Sequence, residues 1–234
     1  MTFDPFGDFE TRGYLRNAAQ EKNAAIVRRL EHSSFTTGID AAFAELAKKR
    51  PITYADVLNI HKILFGAFYP WAGQDRAAIA PDIAVSRGGV LFAHPQYIRN
   101  AIDHGARPGE VMGYFAYGHP FLDGNGRTIM VIHAALAQRA QFSVDWAMTD
   151  KTAYLEALTK ELDEPGKGIL DAYLKPYLRP AISNLPVHLS TAKGLDGGVG
   201  EADTVYGRTD DPAVKAKYEQ QQLKRDEQER TSKD

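Results

Sequence analysis

The chain has 234 residues, of which 44% are hydrophobic and 25% are charged, and its formal net charge is −2. This composition is typical of one folded domain with appendages, and it excludes a fibrous or wholly disordered protein. Because no overall basic excess is present, we expect no nucleic-acid partner. The absence of cysteine excludes disulfides, thiolate nucleophiles and zinc sites with cysteine ligands.

The hydropathy of the chain and the charge of its N-terminal segment both indicate where in the cell the protein is found. No apolar run approaches the roughly 20 residues that a membrane-spanning helix needs. The segment from Met1 to Glu10 carries Asp4 and Asp8 where a signal peptide would carry positive charge. We therefore expect a cytoplasmic location and no membrane partner.

Apolar residues recur at helical spacing along most of the first 182 residues. The predicted helices are Thr11–Glu31 with a break near Asn23, Ile39–Lys49, a helix between Pro51 and Gly66, Gln96–His104, Pro108–Tyr117, Ile129–Ala140, Lys151–Leu162 and Gly168–Ile182. Thr53 and Asp56 have the spacing of a capping box at the start of the third helix. The helix Ile129–Ala140 is apolar on every side, which places it in the core. The pattern predicts an all-α protein.

One segment of the body, Ile79–Phe92, has the pattern of strands instead of a helix. Apolar residues lie on both sides of a turn at Gly88 and Gly89, and these residues are Ile83, Val85, Val90 and Phe92. Short apolar runs around a glycine turn are typical of a β-hairpin. We expect one short hairpin in an otherwise helical body.

The composition changes after about Ser183. Four glycines between Gly194 and Gly200 stand among acidic residues without apolar periodicity, which is typical of a linker. About half of the residues from Asp211 to Asp234 are charged. We divide the chain into a body at 1–184, a linker at 185–210 and a charged tail at 211–234. The tail is either helical or disordered, and a partner-binding helix is a sharper alternative.

The loop between the two central helices, His119 to Arg127, has residue types that suit phosphate chemistry. Gly124 and Gly126 allow the backbone to approach a ligand closely, and a helix that begins near Asn125 directs free N–H groups at the loop. Together these features predict an anion-binding nest.

Three side chains of the same loop add chemistry. Arg127 offers a planar cation to phosphate oxygens, and Asp123 is a hard oxygen ligand for Mg²⁺. His119 is the nearby side chain whose ordinary pKa allows it to accept a proton near neutrality. A glycine-rich corner between two helices needs several of the same residues, with Asp123 or Asn125 as an N-cap, so the loop alone leaves a purely structural role open.

The run from His119 to Arg127 resembles the signature of the Fic (filamentation induced by cAMP) family, H-P-F-x-D/E-G-N-G-R-x-x-R, at every specified position through Arg127. A second segment, from Tyr69 to Arg76, is similar to the Y-P-W-A-G-x-x-R segment of many Fic proteins. The resemblance covers roughly Phe3 to Ile182. It implies a Fic-type all-α helical bundle with one short β-hairpin flap.

The resemblance also implies an activity, the transfer of AMP from ATP to a Tyr, Ser or Thr hydroxyl of a target protein. His119 would be the catalytic base, and Asp123 would hold Mg²⁺. Gly124, Asn125, Gly126 and Arg127 would bind the nucleotide phosphates, with Arg127 also stabilising the departing charge. The flap would bind the target backbone as an added strand. Its residues are Ser86, Arg87, Gly88, Gly89 and Val90.

The chain departs from the family pattern at Met130, where the second arginine is expected. Gly124 and Gly126 favour AMP transfer over the kinase-like branch of the family, which has Ala and Lys there. A catalytically silent Fic-like binding module and a variant that transfers a different phosphate-containing group are the alternatives.

Regulation and biological role are less determined by the sequence. No glutamate is followed by Gly or Asn, as the inhibitory helix of many Fic proteins requires. Control by a separate antitoxin or another regulator stays open. The family suggests a bacterial toxin, or an effector delivered to another cell.

Overall fold

The computed structural model describes residues 16–87, 90–102, 108–164, 167–190 and 204–231. The predicted turn at Gly88 and Gly89 and the start of the predicted first helix lie outside the described residues. No helix in the described ranges is both long enough and apolar enough to cross a membrane.

The two N-terminal helices of the structure pack closely together. They are α1 (Ala24–Ala47) and α2 (Tyr54–Phe65). The predicted break between Glu31 and Ile39 is wrong, since α1 is continuous there. The residues between Glu31 and Ile39 pack directly on α2. Ser34 donates a hydrogen bond to the Leu64 carbonyl at 2.9 Å. Gly38 lies so close to α2 that a Cβ there would stand 2.5 Å from the Ile63 carbonyl oxygen. This stretch therefore forms the helix–helix contact.

The remaining helices build the body around a buried centre. They are α3 (Arg76–Ile79), α4 (Ile98–Ile102), α5 (Pro108–Gly118), α6 (Asn125–Arg139), α7 (Lys151–Asp163), α8 (Ile169–Leu174), α9 (Leu185–Ser190) and α10 (Pro212–Thr231). The all-α class is confirmed. So are the capping box of Thr53 and Asp56 on α2 and the central position of α6, which is buried on almost every side.

Two small sheets exceed the single hairpin that the sequence predicts. The expected hairpin is present as β1 (Ile83–Arg87) and β2 (Val90–Leu91). The predicted helix at 168–182 ends early, and β4 (Leu178–Pro180) instead pairs with β3 (Phe142–Val144). Pro176 favours this end, because proline has no N–H for a helical hydrogen bond.

The C-terminal region returns to the hairpin. A fifth strand, β5 (Thr204–Arg208), pairs antiparallel with β1, so that the strand order is β2-β1-β5. The predicted linker thus contains α9 and β5, and the predicted tail contains α10, while the domain boundaries themselves stay predictions. Helix α10 lies against the body, where the Arg225 guanidinium stands 3.4 Å from the centre of the Tyr117 ring.

A fully buried arginine, Arg76 at the start of α3, joins the hairpin to the end of α5. Its guanidinium donates hydrogen bonds to the main-chain carbonyls of His119 at 2.7 Å, Ala93 at 2.9 Å, Ile83 at 3.3 Å and Gly118 at 3.4 Å. Burial lowers the pKa of Arg76 to about 10, so the group stays charged at neutral pH. These bonds fix the position of β1 and of the segment after β2 relative to His119.

We expect Arg76→Lys to lower the free energy of unfolding by about 2–4 kcal/mol, because a lysine ammonium cannot reach the four carbonyls that the planar guanidinium serves. Chemical denaturation of the variant and the wild type measures the difference. Arg99→Lys, at an exposed position of α4, is the matched control, with an expected change within about 0.5 kcal/mol. Equal effects of the two substitutions would contradict the role given to Arg76.

Candidate active site

The candidate base, His119, directly follows α5 in an uncommon backbone conformation. Its φ is 41°, in the left-handed region, and its carbonyl accepts the shortest of the Arg76 hydrogen bonds. The half-buried imidazole stacks on the Phe92 ring, with 4.0 Å between the ring centres and 11° between the planes. The residue after β2 therefore orients the histidine.

The inner side of the loop is anchored by aromatic packing. Phe121 is fully buried and stacks on His61 at 3.6 Å. The Gly73 N–H donates to His61 Nδ1 at 2.9 Å, so Nε2 carries the proton that bonds the Asp123 carbonyl at 3.0 Å. Burial lowers the pKa of His61 to about 3, which keeps the ring neutral. His61, on α2, therefore has a structural role in supporting the loop.

Asn125 also holds the loop. Its side-chain oxygen accepts from the Phe121 N–H at 2.9 Å, and its amide nitrogen donates to the Phe121 carbonyl at 2.8 Å. Because the side chain is engaged in this way, a nucleotide contact from Asn125 would come from its main chain. That contact stays a prediction.

The two glycines of the predicted nest differ in whether the fold requires a glycine at that position. Gly124 has φ 76°, and a Cβ there would stand 2.6 Å from the Phe65 ring. Gly126, in the first turn of α6, is exposed, and a Cβ there would meet no described atom within 4 Å. Gly124 is therefore required by the fold, whereas Gly126 leaves open space beside the N-terminus of α6, where a ligand could approach.

Asp123 and Arg127 lie on the same side of the loop. Asp123 Oδ1 accepts from the Gly124 N–H at 2.6 Å and stands 3.9 Å from Arg127 Nη2, and the carboxylate side chain is 35% exposed. The Arg127 guanidinium lies over the Phe65 ring at 4.8 Å. Its Nη1 is buried and has no hydrogen-bond partner within the described ranges. An anionic ligand would satisfy this donor.

Sequence reasoning missed Glu31, a buried residue of α1 that forms an ion pair with Arg127 Nη2. Burial raises the pKa of Glu31 to about 8, the charge of Asp123 adds to this increase, and Arg127 opposes it. Glu31 is followed by His32, so the family pattern for an inhibitory glutamate did not single it out. When ionised, the Glu31 carboxylate pairs with the same cation that the resemblance assigns to phosphate.

The described residues of the predicted flap lie in the hairpin, and Met130 lies in the core. Ser86 lies in β1 and Val90 in β2, Arg87 ends β1, and the turn glycines are outside the described residues. Met130 is 8% exposed and packs in the hydrophobic core. No group of three or more potential metal ligands occurs within the described residues. The catalytic, nucleotide, metal and flap roles stay predictions.

The two glycines provide a matched pair of variants. We expect Gly124→Ala to lower the free energy of unfolding by about 2–3 kcal/mol, since it combines left-handed strain with overlap on Phe65. Gly126→Ala should leave stability unchanged or raise it by up to about 1 kcal/mol, because alanine favours the helix. Thermal and denaturant unfolding measure both. Similar losses in the two variants would contradict this distinction.

Two curated proteins are similar to this chain in sequence. The chain is 28% identical over 168 residues to the protein adenylyltransferase VbhT of Bartonella schoenbuchensis. The matched region covers 63% of this chain and 34% of VbhT. It is also 28% identical over 167 residues to the probable protein adenylyltransferase y4lH of Sinorhizobium fredii, covering 62% and 82%. The chain thus spans about a third of VbhT and most of y4lH.

Solved structures show the same fold. The N-terminal Fic domain of a VirB-translocated Bep effector protein from Bartonella quintana has a TM-score of 0.58 at 20% identity, covering 74% of this chain and 91% of that one. BepC from Bartonella tribocorum, solved with bound AMPPNP, has a TM-score of 0.57 at 17% identity, covering 74% and 96%. The model of the Fic/DOC family matches residues 51–137, which include the hairpin and the whole loop. The similarity to the Fic/DOC family thus lies in residues 51–137.

Proposed function

We propose that this protein transfers AMP from ATP to a hydroxyl side chain of a target protein. The observation that carries the proposal is the loop from His119 to Arg127, where a half-buried imidazole, an open helix N-terminus and a buried arginine donor lie within nine residues. Relatives named protein adenylyltransferases support the same activity.

In this mechanism His119 accepts the proton of the target hydroxyl as the oxygen attacks the α-phosphorus, and pyrophosphate departs. General-base assistance of this kind is worth about 10²- to 10⁴-fold. Stacking on Phe92 and the hydrogen bond from Arg76 to the His119 carbonyl hold the base in place before the target arrives. Such fixed orientation lowers the entropic cost of the reaction.

The N-terminus of α6 and Arg127 would bind the phosphates. The main-chain N–H groups of Asn125 and Gly126 lie in the first turn of α6, and Arg127 Nη1 supplies a charged donor, whereas the Gly124 N–H already donates to Asp123 Oδ1. The half-exposed Asp123 carboxylate fits Mg²⁺, which often takes one protein carboxylate together with phosphate oxygens. Mg²⁺ bound there would neutralise charge on the phosphates.

A silent binding module is the second candidate function, and the Glu31–Arg127 ion pair favours it. When Glu31 is ionised, the pair neutralises part of the cation, and Met130 contributes an apolar side chain where the family has a second arginine. We prefer the enzyme, because His119, Asp123 and Arg127 are all present. A cytoplasmic toxin or a delivered effector fits the named effectors among the structural relatives.

The experiment that tests the proposal follows label from ATP into protein. The purified chain is incubated with Mg²⁺, a bacterial lysate and ATP labelled at either the α- or the γ-phosphate. We expect label only from the α-position, and His119→Ala should reduce it by at least about 10²-fold. Label from the γ-position would indicate a kinase, and no label from either position would indicate the silent module.

The ion pair of Glu31 predicts a pH dependence of ATP binding. The pKa of Glu31 is raised from 4.5 to about 8, so the carboxyl is protonated below pH 8 and ionised above it. Ionised Glu31 competes with phosphate for Arg127. The dissociation constant of ATP for the wild type, measured by calorimetry, should therefore rise about tenfold from pH 7 to pH 9.

Glu31→Gln should remove most of this rise and bind ATP about tenfold more tightly than the wild type at pH 9. Glu45→Gln on the same helix is the control, since Glu45 pairs with Lys48 and Lys49 on the surface. Parallel pH profiles for the wild type and Glu31→Gln would refute competition by Glu31.

A further inference from the structure

One face of helix α10 lies against the body of the protein. Among the side chains of α10 that the structure describes, the half-buried ones are Val214, Tyr218, Gln221 and Arg225, and the residues between them are exposed. This spacing places the four side chains on the same side of an α-helix. Polar side chains that leave water need partners within the protein. The partners of Gln221 and Arg225 therefore show what this face of the helix holds.

Gln221 holds the hairpin beside Phe92. Its side-chain amide donates a hydrogen bond to the Leu91 carbonyl at 2.6 Å. The Phe92 N–H donates to the Val85 carbonyl within the hairpin, so the alternation of an antiparallel ladder directs the polar groups of Leu91 away from β1. Gln221 thus binds this carbonyl where a neighbouring strand would, and it fixes the residue directly before Phe92.

Arg225 holds the end of α5, close to His119. Its guanidinium lies over the Tyr117 ring, 3.4 Å from the ring centre, and donates to the Leu162 carbonyl near the end of α7 at 3.3 Å. Tyr117 is buried and lies in the last turn of α5, just before His119. The cation is attracted to the face of the ring, and the hydrogen bond to α7 fixes the cation. Arg225 therefore restrains the last turn of α5.

The two segments that α10 holds are also joined to each other. The Ala93 N–H, just after β2, donates to the Tyr117 carbonyl at 2.8 Å. Phe92 directly precedes this bond on one segment, and His119 follows it on the other. Their rings stack with 4.0 Å between the centres. The stack therefore lies at the junction of two chain segments, and α10 contacts both.

We propose that Gln221 and Arg225 are positioning residues, through which helix α10 sets the orientation of the His119 imidazole. Gln221 acts through the residue before Phe92, and Arg225 acts through the last turn of α5. That this orientation serves a general base rests on the proposed function. A base without a fixed orientation slows the reaction, because its alignment must be recovered at an entropic cost.

The groups assigned to phosphate are held by other elements of the fold. Arg127 pairs with Glu31 of α1 and lies over the Phe65 ring of α2. Loss of the α10 contacts should therefore slow transfer at saturating ATP and leave the dissociation constant of ATP unchanged. A general loosening of the fold would change both quantities.

Two variants remove the contacts, and two others are controls. Gln221→Ala removes the hydrogen-bond donor, and Arg225→Met removes the charge but keeps a long side chain. Gln222→Ala changes the neighbouring glutamine, which is exposed. Val214→Ala shortens a side chain on the docked face that lies over β5, where a Cβ at Gly207 would stand 3.7 Å from Val214 Cγ2. This last variant controls for weaker docking of the helix as a whole.

The first measurement is NMR spectroscopy of each full-length protein without ATP. In the wild type, the ring current of Phe92 shifts the ring-proton signals of His119 upfield, and His119→Ala identifies these signals by their absence. We expect Gln221→Ala and Arg225→Met to move the signals downfield, and both controls to leave them in place. Because this measurement needs neither ATP nor a target, it tests the positioning separately from the proposed function.

The second measurement is the rate at which label from the α-phosphate enters lysate proteins at saturating ATP, with the dissociation constant of ATP from calorimetry. Gln221→Ala and Arg225→Met should each transfer label about tenfold more slowly than the wild type, with unchanged ATP binding. Both controls should transfer label at the wild-type rate.

The inference is overturned if the His119 signals stay in place in Gln221→Ala and Arg225→Met, or if Val214→Ala moves them equally. It is also overturned, with the proposed function intact, if the wild type and all four variants transfer label at the same rate. If the signals move as expected but the wild type transfers no label, the positioning of the imidazole stands and the proposed function fails.

Discussion

The hydrogen bonds of Arg76 set the geometry on which the rest of the site depends. A buried guanidinium must have its donors satisfied, and here the partners are main-chain carbonyls of two separate parts of the chain. One part borders the hairpin, and the other begins the loop that carries His119. Because the arginine fork has a fixed shape, the hairpin and the loop cannot move independently without losing charged hydrogen bonds. The hairpin residue Phe92 can then orient the imidazole of His119.

The electrostatics of the loop have a different origin, which is the packing of α1. This helix places the Glu31 carboxyl beside Arg127 in a buried site, where the charge of Asp123 disfavours a second carboxylate. In the proposed function, phosphate binding and Glu31 ionisation would therefore act on the same cation, Arg127. A residue far from the loop in sequence would thus influence the affinity of the site through a contact that only the folded chain creates.

The sequence was sufficient to predict the helical class and the chemical character of the loop, for physical reasons that particular residues illustrate. The apolar residues of α6 predicted a buried helix, and the structure has that helix at the centre of the body. Contacts between distant segments carried no such signal. The Arg127–Glu31 pair, the four acceptors of Arg76 and the pairing of β5 with β1 all depend on tertiary structure. Strand β5 was hidden further, because its short run adjoins a glycine-rich stretch that resembles a linker.

The central claim is that this framework assembles a nucleotide site in which His119 faces the α-phosphate. A crystal structure of the full chain with Mg²⁺ and a non-hydrolysable ATP analogue tests it most directly. The account predicts phosphate oxygens on the main-chain N–H groups of Asn125 and Gly126 and on Arg127, with the imidazole of His119 directed at the α-phosphorus. Phosphates bound elsewhere, or a His119 ring turned away while Arg127 stays paired with Glu31, would contradict it.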